Sequence, residues 1–204
     1  MLQAARLTGW KGQHVVLEAA GLLAAAGGLN RVVFILAGDI QGREAYQKEL
    51  EQKIKTLGLE HHVRIVGHCD DIPAAFRAAH VAVVASTEPE AFGRAAAEAE
   101  ALACPVIVTD LGAAPETVNG LPYVAAEEAT GWRVPPGEPE PLAEALEEVL
   151  NMPNEARLEM GHRARNHVIN RFSLENMKYN TLTIYDELIG SRLTQIYFYR
   201  LGLE

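Results

Sequence analysis

Apolar and polar residues alternate in blocks along this chain, with short apolar runs separated by longer segments of helical period. The run Arg31–Gly38 (RVVFILAG) is apolar and rich in β-branched residues, which is typical of a strand buried on both faces. The segment Glu44–Leu57 instead places its apolar residues at helical spacing and is followed by Gly58, which predicts an amphipathic helix. The same patterns predict strands at Met1–Arg6, His62–Gly67, Val81–Ser86, Pro105–Asp110 and Gly131–Pro135, and helices at Gln13–Ala26, Asp70–Ala79, Gly93–Ala103, Ala114–Val118, Pro139–Leu150, Asn154–Asn170 and Ser173–Ile189.

The order of these elements predicts an α/β fold. Strands separated by single helices lie parallel, because each crossover returns the chain to the same edge of the sheet. The sequence therefore predicts a doubly wound, Rossmann-like parallel sheet of about six strands, with helices on both faces and further helices at the C-terminal end. A hairpin-rich alternative is poor, because Asn-Gly occurs only at Asn119–Gly120 and no alternating strands flank it.

One domain is expected over residues 1–190. Residues 191–204 are expected to form a frayed tail or to derive partly from cloning, since a terminal Leu-Glu is a common cloning scar. The chain has 204 residues, which is enough to bury a substantial core without disulfides or metals.

Composition narrows the classes of partner and compartment. The formal net charge of −9 argues against nucleic acid as a partner. No apolar run approaches the roughly 18 residues that span a bilayer, and the N-terminus has no signal-peptide pattern. The two cysteines, Cys69 and Cys104, form no C-x-x-C pair and indicate a reducing compartment. We therefore expect a cytoplasmic protein.

Charged residues and glycines follow the strands at the edge where such sheets bind ligands. In a doubly wound sheet, ligands lie beyond the carboxyl ends of the strands. Arg6 ends the first predicted strand and Lys11 follows it, Gly67 ends the third, and the segment STEPEAFGR (Ser86–Arg94) begins where the fourth ends. Each of these charged residues, taken alone, is most often solvated surface. Their coincidence on one rim is what indicates a ligand site.

Two acids with seven residues between them, Glu90 and Glu98, define the expected ligand. If the helix begins near Gly93, its free N–H groups and positive dipole end favour a phosphate. Glu98 lies about 7.5 Å further along the axis, and its side chain leans back toward that end. Carboxylates repel phosphate, so we expect both acids to accept hydrogen bonds from hydroxyls, while Arg6 and Lys11 bind a diphosphate. A sugar–diphosphate–ribose molecule has hydroxyls on both sides of its phosphates.

Four stretches resemble the donor-binding half of retaining glycosyltransferases of the GT-B fold, the group 1 class (family 4). The resemblance extends from Leu2 to about Leu188, and GHCDDIPAA (Gly67–Ala75) with STEPEAFGR is most similar to bacterial enzymes that build lipopolysaccharide core or other surface glycans. The four stretches are RLTGWKGQ (Arg6–Gln13), EPEAFGRAAAEAEA (Glu88–Ala101), PVIVTDLGAAPETV (Pro105–Val118) and TGWRVPPGEPEPLAEAL (Thr130–Leu146).

The resemblance implies a role for each site residue. Arg6 and Lys11 would bind the diphosphate and stabilise it as it leaves, and Glu90 would bind the hydroxyls of the transferred hexose. It also implies that no metal or cofactor is needed and that the substrate is a nucleoside-diphosphate sugar, with UDP or GDP as the nucleotide. The further donor-binding positions are Glu98 for the ribose, Phe92 and Gly93 through their backbone amides, Gly67 beside the nucleobase, and Gly12.

The chain departs from the family pattern in three places. It begins inside the first strand of the donor domain, so we expect the acceptor-binding domain to be absent and the isolated domain to bind nucleotide with little activity. Cys104 stands where the family more often has glycine, and GAAPE (Gly112–Glu116) replaces the commoner GG-x-PE.

Two alternatives stay open: half of a GT-B nucleotide-sugar epimerase or hydrolase, and a non-catalytic binding module. The expected acceptor is a glycan or a lipid-linked glycan bound through the other domain, with the parent enzyme peripheral at the inner membrane. The long C-terminal helices are expected to expose apolar surface and to support a homodimer.

Overall fold

In the part of the chain that the structure describes, six apolar runs and one two-residue segment form seven strands, and every strand pair is parallel. The computed structural model describes residues 1–201. The parallel pairing confirms the predicted α/β class and excludes the hairpin-rich alternative. The strands are β1 (Leu2–Ala4), β2 (Phe34–Ala37), β3 (Val63–Gly67), β4 (Ala82–Val84), β5 (Val106–Thr109), β6 (Gly120–Leu121) and β7 (Gly131–Val134).

Each of the predicted helices begins and ends within two residues of its predicted bounds. Asp71 caps the third helix, since its Oδ1 accepts a hydrogen bond from the Ala74 amide at 2.9 Å. The helices are α1 (Gln13–Ala25), α2 (Glu44–Thr56), α3 (Ile72–Ala78), α4 (Arg94–Ala101), α5 (Ala114–Thr117), α6 (Pro139–Asn151), α7 (Asn154–Phe172), α8 (Leu174–Ile189) and α9 (Leu193–Leu201).

The strand order in the sheet is β3-β2-β1-β4-β5-β7-β6. From β1 the chain adds β2 and β3 on one side of the sheet, and then adds β4 and the later strands on the other side, so the strand order reverses between β1 and β4. Leu2 of β1 pairs with Ala82 of β4 at this point. One apolar cluster joins one face of the sheet to α1, α2 and α6. A second cluster joins the other face to α3 and α4. Reversal of strand order leaves a crevice between the loops that follow β1 and β4, which is where doubly wound folds bind ligands.

The structure differs from the sequence expectation in two elements. One strand, β6, was not predicted. It has only two residues, so the sequence contains no apolar run there that is long enough to recognise. The segment expected to be a frayed tail contains α9, whose first turn is capped by Asp186: the carboxylate accepts from the Leu193 amide at 2.6 Å and from the Thr194 amide at 3.0 Å. Residues 202–204, the end of the expected tail, lie outside the described residues.

Candidate functional site

Two loops meet at the carboxyl edge of the sheet where the strand order reverses. The first follows β1 and contains a short 3-10 turn at Gly9–Lys11. The second runs from the end of β4 to the start of α4 and contains Glu90. They are joined by the Thr87 amide, which donates to the Trp10 carbonyl at 2.8 Å. The predicted basic loop and acidic loop are therefore packed against each other.

The centre of the site is an ion pair between Lys11 and Glu90. Lys11 Nζ lies 2.7 Å from Glu90 Oε1, and the two side chains are only 13% and 17% exposed. The Ser86 hydroxyl donates to the same carboxylate oxygen. The Lys11 ammonium also lies 4.2 Å from the centroid of the Trp10 ring. A lysine and a glutamate that are this well shielded from water interact more strongly than an exposed surface pair.

The backbone of Glu90 is held by the loop that follows β5. The Ala113 amide donates to the Glu90 carbonyl at 3.0 Å. Gly112 has a left-handed φ of +63°, and a Cβ there would lie 2.6 Å from the Glu90 carbonyl oxygen and 2.7 Å from its nitrogen. The first glycine of GAAPE is thus needed for close approach to Glu90, whereas the alanines that follow leave the Glu90 contact intact.

Two buried glutamines, which were not among the predicted site residues, hold the loop after β1 through hydrogen bonds to its backbone. Gln3 Nε2 donates to the Lys11 carbonyl at 2.7 Å, and Gln13 Nε2 donates to the Arg6 carbonyl at 2.8 Å. The Tyr46 hydroxyl donates to Gln13 Oε1 at 3.2 Å. Burial raises the pKa of Tyr46 to about 12, so this hydroxyl remains a donor at neutral pH. Gln3 stands in the apolar run Met1–Ala5, which is a signal for a buried polar residue, whereas Gln13 follows Lys11 and Gly12 and carries no such signal.

Arg6 lies on the predicted rim but apart from the central pair. Its guanidinium is exposed and donates to Gln41 Oε1 at 3.4 Å, in the loop after β2. Within residues 1–201 its side chain makes no hydrogen bond or ion pair with Lys11 or Glu90. Gly67 ends β3 on the same rim, with a left-handed φ of +73° and open space where a side chain would project. Its carbonyl accepts from the Gly38 amide at 2.7 Å.

The N-terminus of α4 opens onto the site as the sequence predicted. Gly93 is the N-cap residue, with φ +77°, and no atom lies within 4 Å of the position that a Cβ would occupy, so the helix end is accessible. Glu98, one turn further, pairs with Arg94 at 2.8 Å on the solvent side. Phe92 is 40% exposed and packs edge-to-face against Phe172 of α7, with ring centroids 5.5 Å apart. The Ala96 amide donates to the Gly93 carbonyl at 3.0 Å, and the Arg94 and Ala95 amides at the end of the helix have no acceptor within it.

Gly12, predicted as a binding residue, has a packing role in the structure. Its φ is +70°, and a Cβ would lie 1.8 Å from the Ala85 carbonyl oxygen. Its amide already donates to the Gly9 carbonyl at 3.0 Å. The missing side chain lets the start of α1 approach the end of β4, which brings Lys11 to Glu90.

A cavity of about 630 Å³ lies at the opposite edge of the sheet, away from the Lys11–Glu90 pair. Its lining includes Leu2, Ile35 and Val149. Its lining contains Arg31 and Arg157 but no carboxylate that would accept hydrogen bonds from sugar hydroxyls. The carboxyl edge carries both kinds of group, so the candidate site is assigned there. Across residues 1–201 there is no cluster of three or more His, Cys, Asp or Glu suited to a metal ion. In that same range, no helix is both long and apolar enough to cross a bilayer.

Comparison with known proteins identifies the family. The model of the glycosyl transferases group 1 matches residues 1–167. The D-inositol 3-phosphate glycosyltransferase of Corynebacterium glutamicum is 29% identical over 188 residues, which cover 91% of this chain and 43% of that protein. A crystal structure of a glycosyltransferase from Rickettsia africae has a TM-score of 0.82 at 31% identity, covering 94% of this chain and 48% of that one.

A second solved structure, Alr3699/HepE of Anabaena in complex with UDP and glucose, has a TM-score of 0.80 at 29% identity. The alignment covers 92% of this chain and 48% of that protein. The chain thus spans less than half the length of these relatives. It belongs to the glycosyl transferases group 1, as the C-terminal, Rossmann-like half of their GT-B architecture.

Proposed function

We propose that this chain binds a nucleoside-diphosphate hexose, UDP-linked or GDP-linked, and forms the donor side of a retaining sugar transfer. The observation that carries the proposal is the shielded Lys11–Glu90 pair at the reversal of strand order, beside the open N-terminus of α4. A cation for phosphate and an acid for hydroxyls lie side by side there, as a sugar diphosphate requires. The complex of the Anabaena relative with UDP and glucose supports the same ligand class.

The positive groups bind and stabilise the diphosphate in this proposal. Lys11 exchanges its contact with Glu90 for the phosphate oxygens, and Arg6 swings from Gln41 to form a bidentate contact. The first-turn amides of α4 add fixed dipoles aimed at the same anion. Together they stabilise the negative charge that develops on the leaving diphosphate during transfer. In this proposal the protein itself supplies the positive charge that stabilises the leaving diphosphate, and no metal ion is required.

The remaining site residues recognise the two ends of the donor. Glu90 accepts from the hexose hydroxyls, and Glu98 leaves Arg94 to accept from the ribose hydroxyls. The exposed pair of Arg94 and Glu98 is worth about 0.5 kcal/mol, so its exchange costs little. The amides of Phe92 and Gly93 contact sugar and phosphate, and Gly67 borders the nucleobase. Gly12 contributes by holding Lys11 next to Glu90.

We expect UDP, GDP or ADP to raise the thermal unfolding midpoint of the chain. A ligand at 100 times its Kd adds about 2.7 kcal/mol to the free energy of unfolding, which corresponds to roughly 5 to 10 °C for a domain of this size. Lys11→Ala and Glu98→Ala should abolish the shift, because they remove the diphosphate cation and the ribose acceptor. Lys55→Ala and Glu144→Ala are matched controls on exposed helix positions of α2 and α6.

The result with the variants separates the alternatives. A midpoint shift that persists in Lys11→Ala and Glu98→Ala would assign the nucleotide to another site. If no nucleotide shifts the midpoint of the unsubstituted chain, the result would favour a non-catalytic binding module. Hydrolysis of a bound nucleotide sugar without acceptor would favour the epimerase or hydrolase alternative.

The acceptor and the cellular setting are also proposals. We propose a glycan or lipid-linked acceptor of the bacterial surface-glycan type, lipopolysaccharide core included, supported by the resemblance of Gly67–Ala75 and Ser86–Arg94. The chain aligns with less than half of each relative's sequence. We propose that the contacts with the acceptor are made by the part that lies outside this alignment. The setting proposed is the cytoplasm, with peripheral attachment at the inner membrane.

We expect the described chain to form a homodimer through α8 and α9. No residue of α8 is buried, and its end exposes Leu188 and Ile189, which are 74% and 71% accessible. Burying such side chains between two copies is favourable. Light scattering at about 50 μM should give a dimer mass, and the double variant Leu188→Glu, Ile189→Glu should give a monomer. Leu158→Glu, on α7, is the control, and a monomer without substitution would contradict the proposal.

A further inference from the structure

The carboxylate of Glu90 is held asymmetrically. Both donors that reach it, Lys11 Nζ and the Ser86 hydroxyl, share the same oxygen, Oε1. Within residues 1–201 no hydrogen bond reaches Oε2. One carboxylate oxygen is therefore occupied by the protein, and the other is available to a ligand hydroxyl.

Ser86 is fixed by the sheet. It is only 3% exposed and lies just after β4. Its carbonyl accepts from Thr109 Oγ1 of β5 at 2.7 Å, and Thr109 is itself buried. The position of the Ser86 hydroxyl is thus set by two neighbouring strands rather than by the loop that follows them.

The two contacts of Glu90 differ in what a ligand does to them. In the proposed function, Lys11 turns to the diphosphate when the donor binds, so Glu90 loses its closest cation. Glutamate has three rotatable side-chain bonds, so without a second contact it would then lose its defined position. The hydroxyl of Ser86 makes no contact that the diphosphate replaces, and a hydroxyl bound to a carboxylate is a strong, directional hydrogen bond.

We propose that Ser86 is a positioning residue that holds Glu90 against the sugar of the donor after Lys11 has moved to the phosphate. This inference rests on the proposed function. Ser86 thereby sets the preference of the site for the sugar-bearing donor over the free nucleoside diphosphate. The free nucleotide has no hexose hydroxyls, so its affinity does not depend on where Glu90 points.

The test is calorimetric titration of the chain with a nucleotide and its sugar derivative. The pairs are UDP with UDP-glucose, GDP with GDP-mannose and ADP with ADP-glucose, chosen by the nucleotide that shifts the unfolding midpoint. Ser86→Ala should weaken binding of the sugar nucleotide about tenfold, and leave the affinity for the free nucleotide within about twofold. Ser86→Thr, which keeps the hydroxyl, should restore most of the preference.

Thr87→Ala is the matched control, since Thr87 is the adjacent hydroxyl and contacts the Trp10 carbonyl instead of Glu90. Glu90→Gln should lose the same preference, and the double variant Ser86→Ala, Glu90→Gln should lose no more than Glu90→Gln alone. Equal weakening of both ligands by Ser86→Ala would mean a merely structural role and would overturn the proposal, as would an unchanged preference. If the unsubstituted chain binds neither ligand, the proposed function fails and this inference fails with it.

Discussion

Replacing Gly12 with alanine is expected to lower the free energy of unfolding by about 3 kcal/mol. Roughly 1 kcal/mol comes from a left-handed backbone at a residue with a Cβ, and about 2 kcal/mol from overpacking. The new Cβ would lie 1.8 Å from the Ala85 carbonyl oxygen, so the start of α1 has to move away from β4. For a domain of this size, the midpoint should fall by roughly 6 to 12 °C. Calorimetry or circular dichroism measures both values.

Gly58→Ala separates the steric part of this effect from the backbone part. Gly58 has a similar φ of +66° after α2, but no atom lies within 4 Å of its Cβ position. We expect this variant to lose only about 1 kcal/mol. Gly12→Ala should also abolish the nucleotide-dependent shift, because Lys11 is carried away from the position proposed for the diphosphate. Equal destabilisation of the two variants would contradict the close-packing explanation.

Replacing Glu100 with glutamine is expected to remove a pH-dependent loss of stability. Glu100 lies on the inner face of α4, is 0% exposed, and neither of its carboxylate oxygens has a hydrogen-bond partner within the described residues. Burial raises its pKa to about 8, against 4.5 for the ordinary carboxyl group. Between these two values the folded chain holds a proton that the unfolded chain releases. Stability therefore falls as the pH rises from about 4.5 to about 8.

The expected size of this loss is on the order of 2 to 4 kcal/mol between pH 5 and pH 8. Glutamine has nearly the same shape but no charge, so its cost of burial does not change with pH. Urea unfolding at several pH values should show Glu100→Gln as more stable than the parent at pH 8, with the advantage lost near pH 5. Glu144→Gln, exposed on α6, is the control. Parallel pH profiles for the parent and Glu100→Gln would contradict a buried, proton-holding carboxyl group.

The fold was largely predictable because its strands are apolar and its helices are amphipathic. The run Arg31–Gly38 identified β2 without tertiary information, since a strand covered on both faces has few polar residues. The sequence missed β6, because two residues define no period. It also missed α9, whose first turn is capped by Asp186, a carboxylate on the preceding helix.

The sequence could point only to residues that are proposed to touch the ligand. The positions of Lys11 and Glu90 after their strands predicted that the two lie on one rim, and the structure brings them into contact, whereas Glu98 pairs with Arg94. Ser86 and the two buried glutamines act by holding other residues, and nothing in their type reveals this. Glu100 shows the limit most clearly: in AEAEA it looks like Glu98, yet residues two apart on a helix point in nearly opposite directions. One of the two acids had to face the interior, and the structure shows that it is Glu100.

The joining of the two site loops has a consequence for folding. Thr87 and Trp10, which connect them, are separated by 77 residues in the chain. The crevice therefore arises only from a non-local contact, which forms slowly compared with helices and neighbouring strands. Partly folded chains in which β1 pairs with β2 alone would lack the proposed donor site. A bound nucleotide consequently selects chains in which β1 and β4 have already joined, and amide hydrogen exchange along that seam is expected to slow first when donor is added.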